Sequence, residues 1–389
     1  MEFSERMDRY GTGIFCTMAG LKRQELAAGK KVVDFSIGAP NIPPARHIVE
    51  ALIEAAKDSR NYVYAISDTE ELQDAVSAWY RRRYGVEIDP GTEMTSLLGS
   101  QDGLSHLGLT ILDPGDVALV PDPGYPIFAD GPALAGARLY RMPQKRENGY
   151  LIDLEAIPED VARKAKFMVV SYPNNPVTSL APPAFYRDLV AFAKKYRIIV
   201  LHDNAYSELV FDGRTCGSFL QYDGAKDVGI EFNSLSKTYG LAGARIGFAL
   251  GNRDVIAMLK SLKSNLDYGM FLPIQKAAVA ALTGPQDCVN ATRLAYQNRR
   301  DVLVDGLSRI GWKIDKPPAT KFVWAKLPEP YADSQLFTRE LLKRAGVLVT
   351  PGAAFGPSGE GHVRIALVQD EDETRYAVRA IDESGILKG

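Results

Sequence analysis

Cysteine is scarce: Cys16, Cys216 and Cys288 are the only three in 389 residues. Odd in number and far apart, they make neither a disulfide framework nor a metal spacing, which suits a reducing compartment. A strong charge of either sign is also lacking. Forty-six Lys and Arg against 48 Asp and Glu leave a net charge of −2, so nothing electrostatic points to nucleic acid or an anionic membrane. Long apolar runs are missing too. The longest stretches are short, as in Arg197–Leu201 (RIIVL), far below the roughly 18–20 residues of a membrane span. Residues 1–10 (MEFSERMDRY) mix acids and bases without an apolar core, unlike a signal peptide. The expectation is a soluble cytoplasmic globular protein.

Several catalytic signatures are absent as well. There is no phosphate-binding G-x-x-x-x-G-K-[ST], no H-E-x-x-H, no C-x-x-C and no G-x-S-x-G. Gly240–Gly247 (GLAGARIG) is glycine-rich, but it precedes a strand pattern and has the wrong spacing for a dinucleotide fingerprint.

What is present is alternation. Val117–Val120, Phe167–Ser171, Ile198–Leu201, Gly229–Phe232 and Ile246–Leu250 read as buried strands. Between them lie amphipathic helical patterns. Glu70–Tyr84 carries Leu72, Val76, Trp79 and Tyr80 on one face and stops at Gly85, and Pro182–Tyr196 carries Phe185, Leu189, Phe192 and Ala193. Such alternation predicts an α/β domain on a mostly parallel sheet. The last hundred or so residues read as α+β: a long helix over Asn290–Ile310, strands at Phe322–Lys326, Val347–Val349 and Val363–Leu367, a helix near Ser334–Ala345 and a terminal helix from Glu371. At about 150 residues per domain the chain is long enough for two or three. The layout expected is a large domain, residues 46–289, inserted into a smaller one made of residues 1–45 and 290–389. A site at their junction would follow.

The informative stretch is Glu231–Gly247 (EFNSLSKTYGLAGARIG). Lys237 follows a buried strand. Alone, such a lysine is ordinarily a solvated loop residue. Here Ser234 and Ser236 flank it and Arg245 lies eight residues on. Hydroxyls and a guanidinium make an anion site, and a desolvated lysine near other cations becomes a nucleophile able to form a Schiff base. Phosphate plus Schiff-base lysine points to pyridoxal phosphate. That cofactor needs a carboxylate facing its pyridine nitrogen. Asp203 stands where it should, at the end of the strand in Ile198–Tyr206 (IIVLHDNAY), with Tyr206 three residues on. An Asp there is as readily a turn or cap residue. Asn175, in the turn of Phe167–Val177 (FMVVSYPNNPV), is a further donor for the ring oxygen. Leu97–Leu104 (LLGSQDGL) turns from a strand into a helix, and the amides of Ser100, Gln101 and Asp102 at its start suit a phosphate. The bland alternative is an ordinary strand–helix turn.

Taken in order, Gly99-Ser100, Pro123-Gly124-Tyr125-Pro126, Asn174-Asn175-Pro176, Asp203-x-x-Tyr206, Ser234-x-Ser236-Lys237 and Arg245 resemble the class I/II, fold-type I aminotransferases over nearly the whole chain. The resemblance implies a seven-stranded, mostly parallel sheet between helices, with a smaller α+β domain. Lys237 would bond the cofactor and later shuttle the proton, with Asp203 as partner of the pyridine nitrogen. Asn175 and Tyr206 would bond the ring hydroxyl, and Tyr125 would stack on the ring. Ser100, Gln101, Ser234, Ser236 and Arg245 would cradle the phosphate, with Asp102 nearby. Arg364, in Gly361–Leu367 (GHVRIAL), would grip the substrate α-carboxylate, and Gly38 would close over it. Tyr64, in Asn61–Asp68 (NYVYAISD), would reach a phosphate across a homodimer interface, a role Tyr62 also competes for. Tyr268 is a second residue that a neighbour would lend.

Two local departures stand out: Val177-Thr178-Ser179 where the family has Thr-Gly, and a tight Asp68-Thr69-Glu70 turn. Segments such as Leu262–Gln275 (LKSNLDYGMFLPIQ) are most similar to LL-diaminopimelate aminotransferases and bacterial aspartate/alanine-type enzymes. The activity implied is ping-pong transfer of an amino group from an L-amino acid of the LL-diaminopimelate, aspartate, alanine or glutamate class to a 2-oxo acid such as 2-oxoglutarate. The alternative is a β-lyase of the same fold. The partners implied are small molecules and a second copy of the chain, with no nucleic acid or membrane. His106 reads as core or as support beneath the cofactor, His202 as structural, the tryptophans as core or interface, and Lys260 and Lys263 as a solvated helix face.

Overall fold

The computed structural model describes residues 3–388. Seven strands form the central sheet, in the spatial order Met94–Leu97, Gly247–Gly251, Gly229–Ser234, Ile199–Asp203, Ala165–Ser171, Val117–Asp122 and Arg138–Pro143. The five strands from Gly229–Ser234 to Arg138–Pro143 pair in parallel. Gly247–Gly251 runs antiparallel to both its neighbours. The four inner parallel strands are almost wholly buried, as expected of a sheet with helices on both faces.

The helices follow their patterns. Glu70–Tyr84 is capped by the Thr69 side chain and stopped by Gly85 at φ 67°, a left-handed turn that glycine adopts without strain. Its Leu72, Val76, Trp79 and Tyr80 are buried. Pro183–Tyr196 starts on its proline and buries Phe185, Leu189 and Ala193. The helices Ser100–Ile111 and Ile127–Leu134 cross at two glycines: a Cβ on Gly108 would stand 2.6 Å from the Gly131 carbonyl oxygen, and one on Gly131 2.7 Å from that of Leu104.

One strand, Arg138–Pro143, escapes the sequence reading. It lies at the sheet edge and is mostly exposed or half-buried, so it shows no buried-strand pattern. The expected strand Val347–Val349 is divided: Val347–Leu348 pairs in parallel with Val33–Asp34, and Thr350–Pro351 pairs with His362–Ala366. His362–Ala366 also pairs antiparallel with Phe322–Lys326. A second apolar core joins Val33 and Phe35 to Phe322, Phe337, Leu341 and Ile365. The first strand of the chain is therefore bound into the C-terminal third. Trp79, Trp312 and Trp324 are all buried.

The Arg253–Leu266 helix corrects one expectation. Lys260 is half-buried, and its Nζ bonds the Gly91 carbonyl at 2.7 Å. Lys263 is buried. It stands four and seven residues beyond the buried Leu259 and Ile256, which places it on the same face of the helix.

Candidate active site

A cavity of about 350 Å³ opens where the parallel strands end, the usual ligand position of open α/β sheets. Asp203 ends Ile199–Asp203, and Ser234 ends Gly229–Ser234. Asn175 follows the strand Ala165–Ser171, and Tyr125 follows Val117–Asp122. Ser234, Ser236 and Lys237 line the wall beside Asp203 and Tyr206. Gly38 and Arg364 come in from the N- and C-terminal segments.

At one end the Ser100–Ile111 helix begins. Its cap is Gly99 at φ 83°, with no side-chain cap bond, so the Ser100 and Gln101 amides stand at the open helix end. The Arg245 guanidinium lies against this turn, bonding the carbonyls of Ala242 at 3.1 Å and Leu98 at 3.2 Å. A side chain on Gly99 would run into it. Ser234 caps the short Leu235–Thr238 helix by accepting from the Ser236 amide at 3.2 Å, and this anchors the turn that carries Lys237. Burial pushes the Lys237 amine down to about 8, with the Arg245 charge adding to the effect.

In the middle stands Asp203. Its Oδ1 is buried and has no hydrogen-bond partner. Burial pushes its carboxyl up to about 6, against the pull of His202, the Ala205 amide and Lys237. The Tyr206 phenol is also buried and pushed up, mainly by desolvation and then by Asp203. The Tyr125 hydroxyl donates to Gln101 Oε1 at 3.2 Å.

At the far end Arg364 is buried, its Nη1 on Asn175 Oδ1 at 3.1 Å and its Nη2 on the Ser36 carbonyl at 3.0 Å. Its Nε has no partner. The rings of Phe322, Phe355 and Phe15 lie 4.2, 4.7 and 5.6 Å from its guanidinium carbon. Burial lowers even this guanidinium to about 10. Because Asn175 Oδ1 accepts from Arg364, its Nδ2 is left to donate.

Two expected residues lie elsewhere. The Asp102 side chain faces away from the cavity, to Lys263 at 2.7 Å and to His106. Its amide is already bonded to Gly99 at 3.0 Å. A side chain in the first helical turn can point to either flank, and here the buried ammonium of Lys263 draws it outward. Tyr64 is 81% exposed, outside the cavity, with its ring 5.5 Å from that of Tyr268. His202 faces the other side of the sheet, bonded to Glu231 at 3.0 Å and Tyr186 at 3.3 Å.

The sequence reading missed Phe15, Ile37 and Phe322, which line the cavity. Phe322 was legible only as the start of a strand, and nothing local marks Phe15. It also missed Lys321, whose buried Nζ has no partner and lies 6.0 Å from the Tyr296 ring. Burial and the charges of Lys237, Arg364 and Arg299 push that amine well below its usual value.

The donor set fits pyridoxal phosphate on this structure's own terms. An unpartnered buried carboxylate oxygen, a depressed amine and a capless helix end beside a guanidinium all open on one cavity.

Known proteins match the same architecture. The family pattern for aminotransferase class I and II covers residues 30–381. An LL-diaminopimelate aminotransferase of Moorella thermoacetica is 45% identical over 91% of this chain and 90% of its own. One of Halothermothrix orenii is 42% identical over 99% of both. Among solved structures, substrate-bound BacF from Bacillus subtilis superposes with a TM-score of 0.95 at 38% identity, over 98% of both chains. A probable N-succinyldiaminopimelate aminotransferase of Thermus thermophilus gives 0.91 at 35%, over 96% of this chain and all of its own. With its seven-stranded, mostly parallel sheet and its strand-end cavity, this chain belongs to the class I and II aminotransferases, enzymes that depend on pyridoxal phosphate.

Proposed function

We propose that the enzyme takes its amino group from LL-diaminopimelate or a related donor of the aspartate, alanine or glutamate class, and passes it to a 2-oxo acid such as 2-oxoglutarate. The donor is suggested by the names of the Moorella and Halothermothrix relatives. The observation that carries the site assignment is the convergence of Lys237, Asp203, Arg245 and Arg364 on one cavity.

Bound pyridoxal phosphate supplies an electron sink for the pair left behind when the substrate α-proton departs. Lys237, with its amine near 8, takes that proton at Nζ and returns it elsewhere on the product. The buried, unpartnered Asp203 Oδ1 would hold a proton on the pyridine nitrogen. Asn175 Nδ2 and the Tyr206 hydroxyl would hold the ring oxygen, and Tyr125 would lie against the ring. Ser100, Gln101, Ser234, Ser236 and Arg245 would hold the phosphate. Arg364 receives the substrate α-carboxylate, and Gly38 closes over it. The Gly38 backbone lies against the Phe322 ring, where a side chain would not fit.

We assign residues 46–289 to the large unit and residues 1–45 with 290–389 to the small one. The functional unit proposed is a homodimer in which Tyr64 reaches the neighbour's phosphate. Tyr62, Val63, Tyr64, Ile66, Tyr268 and Phe271 form an exposed apolar patch, of the kind that marks association. The Tyr62 hydroxyl is already committed to the Ala56 carbonyl at 3.0 Å, which favours Tyr64 for the role. No helix among the described residues is long and apolar enough to cross a membrane.

The test is to add single amino acids to the loaded enzyme and follow the cofactor's absorbance. Conversion of the aldehyde form to the amine form by LL-diaminopimelate, faster than by glutamate, aspartate or alanine, supports the donor. Ammonia and an oxo acid without the amine form would overturn the transfer reaction.

A further inference from the structure

A carboxylate sits where one should be unwelcome. A helix N-terminus receives phosphate through free amides and partial positive charge, yet Asp102 occupies the first turn of the Ser100–Ile111 helix. Unbalanced, its charge would oppose that of the ligand.

The surroundings balance it. Lys263, only 6% exposed, places Nζ 2.7 Å from Asp102 Oδ2 and 3.0 and 3.1 Å from the two oxygens of Asp267. His106 contacts Asp102 through Nδ1 and stands 3.7 Å from Asp267 through Nε2. Asp102, His106 and Asp267 are close enough together to suggest a cation site, but the Lys263 ammonium already serves both carboxylates. Asp102 Oδ2 also accepts from the Leu98 amide at 2.9 Å. The Leu98 carbonyl in turn accepts from Arg245 Nη2 at 3.2 Å. An unbroken chain of contacts thus runs from Arg245 through the Leu98–Gly99 turn and Asp102 to Lys263.

We infer that Lys263 is a positioning residue for the phosphate end of the site. It neutralises Asp102, holds that carboxylate out of the cavity and pins the Leu98–Gly99 turn, so that Arg245 and the Ser100 and Gln101 amides converge on one point. This rests on the assignment of that end to the cofactor phosphate.

The experiment compares two ligands on the apo-protein: pyridoxal phosphate and pyridoxal, which lacks the phosphate. Both are titrated by absorbance against the native chain, Lys263→Met and Arg245→Gln. Lys263→Met is expected to weaken pyridoxal phosphate about tenfold, the scale of a coupling between linked groups, to leave pyridoxal unchanged, and to move the phosphorus resonance of the bound phosphate. Lys263→Arg should restore part of the loss. Should Lys263→Met not fold, Lys263→Gln keeps a donor between the carboxylates and is read by the same affinity ratio. An unchanged ratio in the Lys263 variants, or an equal loss for both ligands, overturns the inference. If Arg245→Gln also leaves the ratio unchanged, the phosphate assignment itself fails.

Discussion

Arg364 and Asn175, 189 residues apart in the chain, are bonded to one another at 3.1 Å inside the cavity. The residue proposed for the substrate carboxylate therefore orients the residue proposed for the cofactor's ring oxygen. Arg364→Gln should raise KM for the amino donor by about 10- to 100-fold, the scale of a lost charged hydrogen bond. It should also weaken cofactor binding, because the Asn175 amide loses its fixed orientation. Steady-state kinetics and cofactor titration read the two effects separately.

Asp203 makes the stability of the apo-protein pH-sensitive. Its carboxyl is raised from 3.8 to about 6 by burial. Below about pH 4 both folded and unfolded chains carry it neutral. Between about 4 and 6 only the unfolded chain ionises, so apo-protein stability falls as pH rises. The full penalty above that range is about 3 kcal/mol, at 1.36 kcal/mol per unit. Asp203→Asn should therefore be more stable than the native apo-protein at pH 7 and equal to it near pH 3.5, while losing turnover. Denaturant melts across pH check this.

Lys237 should capture the cofactor only as the free amine. With that amine lowered to about 8, the rate of capture by apo-protein should climb through pH 8 and then level off. Lys237→Ala should lose about 10⁴-fold or more in turnover, the upper range for a proton-transferring group. Stopped-flow absorbance and donor turnover supply both numbers.

Tyr64→Phe should lower cofactor affinity about tenfold, as loss of one hydroxyl bond to a charged group does. Tyr62→Phe should leave it unchanged, since that hydroxyl serves the Ala56 carbonyl. Light scattering should find a dimer for the native chain. An active monomer would sink the role given to Tyr64.

Gly108→Ala should destabilise the fold by about 1–3 kcal/mol, the cost of overpacking. The added carbon meets the Gly131 backbone at 2.6 Å, and backbone cannot swing aside. Thermal denaturation of the apo-protein is the measurement.

How much of this was legible beforehand depended on range. Asp203, Ser234 and Lys237 sit at strand ends that apolar runs announce, so local pattern placed them. Glu70–Tyr84 matched its expected bounds because its cap and its stop are local chemistry. Asp102 was misdirected for the opposite reason. Its position in a first turn was legible, but the flank it faces is set by Lys263, 161 residues away. Lys263 carried a usable signal, the spacing from Ile256 and Leu259, which its charge masked. Phe15 carried none, since only the folded chain brings it to Arg364.

Among the described residues the strand Met94–Leu97, which leads into the phosphate end, finds its sheet partner only in Gly247–Gly251, and Val33–Asp34 pairs only with Val347–Leu348. During synthesis the helix start at Ser100 thus waits for some 150 further residues before its strand is anchored, and the substrate end waits for Arg364. Partly made chains, or fragments cut short of residue 251, lack the framework to retain the vitamin-derived cofactor. On this reading cofactor loading needs a chain that extends past residue 251, and retention of its colour reports that Met94–Leu97 has found its partner strand.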